Sequence, residues 1–311
     1  MRETIWRQPD DLRAILADTA PVEREGERLA GRRIVVVGTG TSWHAASHAV
    51  WLFREADVDA VAVQAMDAAL YGLPVRAGDA VLVLSHRNTK RFSSALLEQL
   101  GTADAGPVVV IGGRGSPGVD IETVEQERSS AFTASHLGAL LRLAQLARAF
   151  GAQLELEQIP DAVEAALEHQ VGVEPPLRLL ELIGAGPNQW TAAEGALKIR
   201  ETSRVATEGL SVEQFFHGPA VAIDGRDTLV CLDGGGPGAE RLAAVAEAAE
   251  TCGTRVHRFS ETALGEPLSI FPLTVVVQRI ALELAEALGT DPDAFGYDVP
   301  GRREAWTALT L

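Results

Sequence analysis

Arg32-Arg33-Ile34-Val35-Val36-Val37-Gly38-Thr39-Gly40-Thr41-Ser42 is the stretch that decides the fold class. Its apolar, β-branched run has the length of one buried strand. The glycines end that strand, and Ser42 to Arg54 reads as a helix. Outward from there, strands are expected at Val58 to Gln64, Ala80 to Ser85 and Pro107 to Gly112, and helices at Phe92 to Leu100 and Ala131 to Ala149. Ahead of them, Met1 to about Ala30 reads as an amphipathic lead, with Trp6, Leu12, Ile15 and Leu16 on one stripe. The plan recurs after Leu177. A strand runs to Gly184, a helix from Trp190 to Arg204, and a short apolar segment from Ala220 to Ile223. A strand at Asp227 to Leu232, a helix at Ala239 to Thr251 and a strand at Thr254 to Phe259 follow. Thr274 to Leu288 starts strand-like and reads as mainly helix. Strands alternating with helices predict an α/β fold of two units, each a parallel sheet with helices on both faces. Pro160, Pro175 and Pro176 sit among acidic residues, which places a linker near Glu155 to Pro176 and domains at 1–157 and 158–311.

The chain has 311 residues, 46% of them hydrophobic and 23% charged, enough for two cores without staples. Its formal net charge of −16 argues against nucleic acid or an anionic membrane as partner, because both require a positive surface. An anionic small molecule then needs a local cluster of donors. Cys231 and Cys252 have no metal or redox spacing and read as free thiols. No basic and apolar leader opens the chain and its apolar runs are of strand length, so a cytoplasmic protein is expected.

Gly38 to Ser42 leaves a strand and opens a helix. Backbone amides at a helix N-terminus bind anions, and the Thr41 and Ser42 hydroxyls add donors. Two other readings stand beside it: a plain turn capped by Ser42, or a dinucleotide turn. The dinucleotide reading lacks its third glycine and the acidic residue that should end the next strand. Ser85-His86-Arg87-Asn88-Thr89-Lys90 also lies between a strand and a helix. Arg87 and Lys90 can neutralise a phosphate while Ser85, Asn88 and Thr89 donate to it, or the loop is a solvated one. Ser129 caps the long helix that follows or closes over a ligand. Gly184-Ala185-Gly186 reads as structural.

Ala192-Ala193-Glu194-Gly195-Ala196-Leu197-Lys198-Ile199-Arg200-Glu201 puts Lys198 and Glu201 on one helix face, where a surface ion pair is the ordinary explanation. His217 follows sixteen residues later in Phe215-Phe216-His217-Gly218-Pro219. A carboxylate that moves a carbon-bound proton and a histidine that handles a sugar oxygen are what aldose–ketose chemistry needs. His44, His48, His86, His136, His169 and His257 show no metal-ligand spacing, so neither metal nor other cofactor is expected.

These residues carry a resemblance over nearly the whole chain. It resembles the sugar isomerase (SIS) domain family, in particular the tandem-SIS isomerase half of glutamine–fructose-6-phosphate aminotransferases. Gly40-Thr41-Ser42, Glu194-Gly195-Ala196-Leu197-Lys198 with Glu201, His217-Gly218-Pro219, Ala131-Phe132-Thr133 and Gly289-Thr290-Asp291 match its motifs. The resemblance implies two flavodoxin-like α/β/α sandwich units, a homodimer and a sugar-phosphate ligand. It implies that Glu201 shuttles a proton between C1 and C2, and that His217, reaching from a partner subunit, opens the sugar ring. Lys198 would support the open-chain sugar, and Thr41, Ser42 and the loop Ser85 to Lys90 would hold sugar and phosphate. The chain departs from the family at three points. It does not open with the glutaminase cysteine, so no glutaminase activity is expected. The family phosphate loop Ser-Gln-Ser-Gly-Glu-Thr is here Ser85-His86-Arg87-Asn88-Thr89-Lys90. The position of a C-terminal Schiff-base lysine falls at or beside Trp306. The expectation is therefore a phosphosugar isomerase, or an amino-sugar-phosphate isomerase or deaminase, acting on a hexose or hexosamine 6-phosphate. A deglycase of phosphorylated sugar–amine conjugates and a non-catalytic phosphosugar sensor are the alternatives.

Overall fold

The computed structural model describes residues 1–102 and 106–309. The chain divides into two compact units. The first comprises Asp10–Glu127, Ala134–Glu157 and the stretch from Arg303. The second comprises Gln158–Arg302 together with Met1–Pro9 and Arg128–Thr133.

Helix α1 (Arg2–Ala17) buries Ile5, Gln8, Leu12 and Ile15. Trp6 is not on that stripe. It is exposed, with the guanidinium groups of Arg2 and Arg279 5.1 and 5.8 Å from its ring centre. The first unit continues through α2 (Ala20–Leu29), β1 (Ile34–Gly38), α3 (Thr41–Arg54), β2 (Ala60–Gln64), α4 (Ala65–Tyr71) and β3 (Ala80–Leu84). It then runs through α5 (Arg91–Thr102), β4 (Val108–Gly112), β5 (Ile121–Glu122) and α6 (Ala134–Ala149). Its sheet is parallel, in the order β2-β1-β3-β4-β5. Every residue of β1 and β3 is buried, as unbroken β-branched runs require when helices cover both faces. The pleat sends Val35, Val37, Val81 and Val83 to one face, against Ala65, Ala68, Leu96 and Leu100 of α4 and α5. Helices α3 and α6 pack together, with Phe53 edge-on to Phe150 at 5.4 Å.

The second unit contains α7 (Ile159–Glu168), β6 (Leu180–Gly184), α8 (Asn188–Ser203), β7 (Thr207–Ser211), α9 (Val212–Phe216) and β8 (Thr228–Asp233). After these come α10 (Ala239–Thr251), β9 (Arg255–Ser260) and α11 (Glu266–Ala287), while a short α12 (Arg302–Thr307) lies almost wholly in the stretch from Arg303 that belongs to the first unit. The sheet order is β7-β6-β8-β9, again parallel. Ile183, Leu229 and Cys231 meet Val212, Phe215, Leu242, Val245 and Ala246 on one face. The other face carries α8 and α11.

Two sequence expectations are corrected here. The expected linker holds a helix: Pro160 occupies the first turn of α7, where a missing N–H costs nothing, and Ile159, Val163 and Ala166 are buried. Apolar runs also exceed strand length. Helix α11 is long and apolar enough to cross a membrane, but 94% of its most apolar window is buried within the protein, as in a core helix.

Candidate functional site

In the first unit the strand order reverses between β1 and β3, so the loops leaving their carboxyl ends border a crevice, where ligands of open α/β sheets bind. A Cβ added to Gly38 would fall 2.2 Å from the Ser42 carbonyl oxygen, so only glycine lets helix α3 start this close to the strand. Gly40 has φ +57° and caps α3; its carbonyl accepts from the Trp43 and His44 N–H groups at 2.8 and 3.1 Å. Thr41 and Ser42 form the half-buried first turn, which contains no acidic residue to offset the partial positive charge of the helix end.

The loop after β3 is held rigidly. Ser85 is buried and its N–H donates to the Ile111 carbonyl at 3.0 Å. The His86 carbonyl accepts from the Gly113 N–H at 2.8 Å, the Ser116 hydroxyl at 2.9 Å and the Gln126 amide at 3.1 Å. Its imidazole lies so close to Gly113 that an added Cβ there would be 2.6 Å from Cε1. Desolvation holds the ring below the ordinary histidine range, Glu127 opposes that shift and Arg87 adds to it. Asn88 takes a left-handed conformation, φ +48°, and donates to the Pro117 carbonyl at 2.8 Å, so it shapes the loop. Arg87, Thr89 and Lys90 are exposed.

Ser129 does not cap the long helix, which begins only at Ala134. Its hydroxyl accepts from the Ala131 N–H at 3.2 Å and donates to Asp293, whose carboxylate also holds the Met1 amino group at 2.7 Å. The N-terminus of α6 is served by Glu127, which accepts from the Ser135 N–H and hydroxyl at 2.8 and 2.6 Å.

Helix α8 carries the chemistry-bearing segment. Lys198 is fully buried, which rules out the surface ion pair as its explanation. Its ammonium lies 3.5 Å from the equally buried Glu194 and bonds directly to Glu201, which is 14% exposed. The three residues lie on one face at i, i+4 and i+7. Two carboxylates around one ammonium form a buried array whose desolvation cost is offset only by close pairing. Sequence reasoning assigned no role to Glu194; the signal available was its i, i+4 spacing ahead of Lys198. The Thr202 hydroxyl anchors this stretch, meeting the Lys198 carbonyl at 2.8 Å and the Ala281 carbonyl at 3.1 Å.

His217 ends α9, and its side chain is 66% exposed. Its Nε2 is 2.8 Å from Glu213, whose other carboxylate oxygen accepts from Arg241 Nε at 2.9 Å. The Arg241 bond, assisted by His217, holds the Glu213 carboxyl below the usual range. Phe216 meets the His217 ring edge-on at 5.4 Å. Trp306 lies on α12 and is exposed. Among the described residues no group of three or more His, Cys, Asp or Glu is placed to hold a metal ion. Burial pushes the Cys231 thiol up to about 12.

The SIS domain pattern matches residues 30–149. A glutamine–fructose-6-phosphate aminotransferase of Sphingobium yanoikuyae is 30% identical over 148 residues, covering 42% of this chain and 92% of that relative. The chain belongs to the SIS domain family. The corresponding aminotransferase of Thermococcus kodakarensis is 25% identical over 336 residues, covering 94% of this chain and 56% of that protein. The chain thus spans about half the length of such full-length relatives. Among solved structures, the C-terminal domain of the Francisella tularensis glucosamine-fructose-6-phosphate aminotransferase superposes with TM-score 0.83 at 19% identity, covering 94% and 97% of the two chains. Glucosamine-6-phosphate deaminase from Thermotoga maritima follows with TM-score 0.76 at 19% identity, covering 94% and 96%. The tandem α/β architecture of this SIS protein is theirs.

Proposed function

We propose that this SIS protein is a phosphosugar isomerase or amino-sugar-phosphate deaminase acting on a hexose or hexosamine 6-phosphate. The observation that carries this reading is the α8 array: of its two carboxylates, only Glu201 reaches the surface, and a buried ammonium holds it. Glu201 takes the proton from C2 of the open-chain aldose and leaves an enediol. The same carboxyl returns the proton to C1 while a hydroxyl proton moves from O2 to O1, so the ketose forms with no net gain or loss of atoms. With an amino group on C2, the same two steps give a ketimine, and water then displaces ammonia. Lys198, bonded directly to Glu201, holds its carboxylate in place. Thr41, Ser42 and the loop Ser85 to Lys90 hold the phosphate, with Arg87 and Lys90 supplying charge where the family loop supplies hydroxyls. His217 assists ring opening, and its exposed position suits action from a second copy in a homodimer.

The test is incubation in deuterated water with a panel of hexose and hexosamine 6-phosphates, read by NMR at C1 and C2 with ammonia assayed in parallel. Exchange identifies an enediol enzyme, and released ammonia separates the deaminase from the isomerase. Binding without exchange for every sugar would overturn catalysis and favour a sensor.

A further inference from the structure

Helix α9 is arranged so that one imidazole is held in a fixed direction. The Ser211 hydroxyl caps the helix, accepting from the Gln214 N–H at 3.2 Å. Val212 and Phe215 are buried in the core of the second unit and set the rotation of this short helix. That rotation leaves Glu213, Phe216 and His217 outside, and the i, i+3 and i, i+4 spacings bring them together. Glu213 holds His217 twice. Its backbone carbonyl accepts from the His217 N–H at 3.1 Å, and its carboxylate meets the imidazole Nε2 at 2.8 Å.

The carboxylate is itself braced from α10. Arg241 donates to it from Nε at 2.9 Å and from Nη2 at 3.4 Å, and the same guanidinium lies 4.3 Å from the Phe216 ring centre. Phe216 in turn meets the His217 ring edge-on. Four side chains thus close a ring of contacts. All four are exposed, and exposed ion pairs add little to stability, so what the ring fixes is a direction. An ionised carboxylate only accepts, so Nε2 carries the proton shared with Glu213, and Nδ1 keeps its lone pair for a ligand. A surface histidine without such a clamp would have to find that orientation at each encounter.

We propose that Glu213, braced by Arg241, is a positioning residue for His217 and presents Nδ1 as the nitrogen that opens the sugar ring. The role in ring opening rests on the proposed function; the clamp does not. Nδ1 takes the proton of the anomeric hydroxyl O1 as the C1=O1 bond forms and C1–O5 breaks, and the same proton passes to O5. No atom is gained or lost, and the imidazole ends neutral, as it began. Between the two transfers the imidazolium faces the Glu213 carboxylate, which stabilises it.

The test compares E213A, E213Q, H217A and the double variant E213A/H217A with the parent, using a hexose or hexosamine 6-phosphate that the parent turns over. E213A should lower kcat/KM by about ten- to a hundredfold with phosphosugar affinity near the parent's, and E213Q, which keeps an acceptor oxygen, should recover part of the loss. The loss should be greater from the aldose than from the ketose, which is richer in open-chain form; equal losses would overturn the inference. In the H217A background, removing Glu213 should cost nothing further, since it acts through the imidazole. A parent-like E213A beside a slow H217A overturns the inference alone. A parent-like H217A, or no turnover by the parent, overturns the proposed role of His217 and the ring-opening role of Glu213 with it. The clamp is read without substrate by 15N NMR of the imidazole: a His217 Nε2 proton slow to exchange in the parent and fast in E213A is expected. Equally fast exchange in both chains would contradict the clamp whatever the reaction.

Discussion

The two units build the same turn and use it differently. Gly38 and Gly184 each let a helix start against its strand, with nearly equal hypothetical clashes of 2.2 and 2.3 Å. In the first unit the next turn presents Thr41 and Ser42, half-buried, with no acidic residue. In the second, Asn188 is spent on Ser269, and the Glu266 carboxylate lies against Gly186 and Gly236. The acidic residue at the last helix differs as well: Glu127 caps α6 through Ser135, whereas Glu266 turns toward the glycines. Meanwhile the second unit's α8 carries the Glu194–Lys198–Glu201 array. In the proposed function, one duplicated framework would separate ligand recognition from proton chemistry, with glycine spacing fixing the frame and a few polar residues fixing the task.

That separation can be broken by substitution, and the largest effect belongs to α8. E201Q should lower turnover by about a hundred- to ten-thousand-fold while phosphosugar affinity stays near the parent's. Loss of affinity without loss of turnover would move proton transfer elsewhere. K198A leaves two carboxylates without their ammonium and should cost about 3–5 kcal/mol in denaturant unfolding; a parent-like midpoint would show that Lys198 is not needed to balance them.

Glu181 offers a pH-dependent test confined to the second unit. Burial pushes its carboxyl up to about 7, and Glu208 and Asp227 add to the shift while Arg200 opposes it. Its pKa is raised on folding, so its favourable contribution is complete below the ordinary carboxylate value and is lost as pH rises through about 7. E181Q should therefore gain about 3 kcal/mol relative to the parent between pH 4.5 and pH 8. A stability difference that does not change with pH would contradict a buried, raised Glu181. The smallest effects separate the two turns. S42A should weaken phosphosugar binding about fivefold, the value of one hydrogen bond, and leave Tm nearly unchanged. N188A should do the reverse, lowering Tm with no change in affinity.

Much of this was legible in the sequence because burial was written in composition. Ile34 to Val37 and Ala80 to Leu84 are unbroken apolar runs, which strands covered on both faces require. β7, Thr207–Ser211, escaped because its sequence has little strand character and it lies at the sheet edge. Gly209 is what packs it: an added Cβ would be 2.2 Å from the Ala192 carbonyl of α8. α7 was hidden by Pro160, which reads as a breaker unless its first-turn position is known. In the site, helical spacing put Lys198 and Glu201 on one face, but not their burial, because polar spacing reads as a surface until the covering helix is placed. α11 supplies that cover, and Glu266 went unnoticed because the glycines it lies against are far away in sequence.

The central claim is that Glu201 moves the carbon-bound proton of a phosphosugar. Its most direct test is the rate of deuterium entry at C1 and C2 of saturating substrate in deuterated water, compared between the parent and E201Q. Exchange by the parent and its loss in a folded, ligand-binding E201Q is the result predicted. Equal exchange rates in the two chains would contradict it.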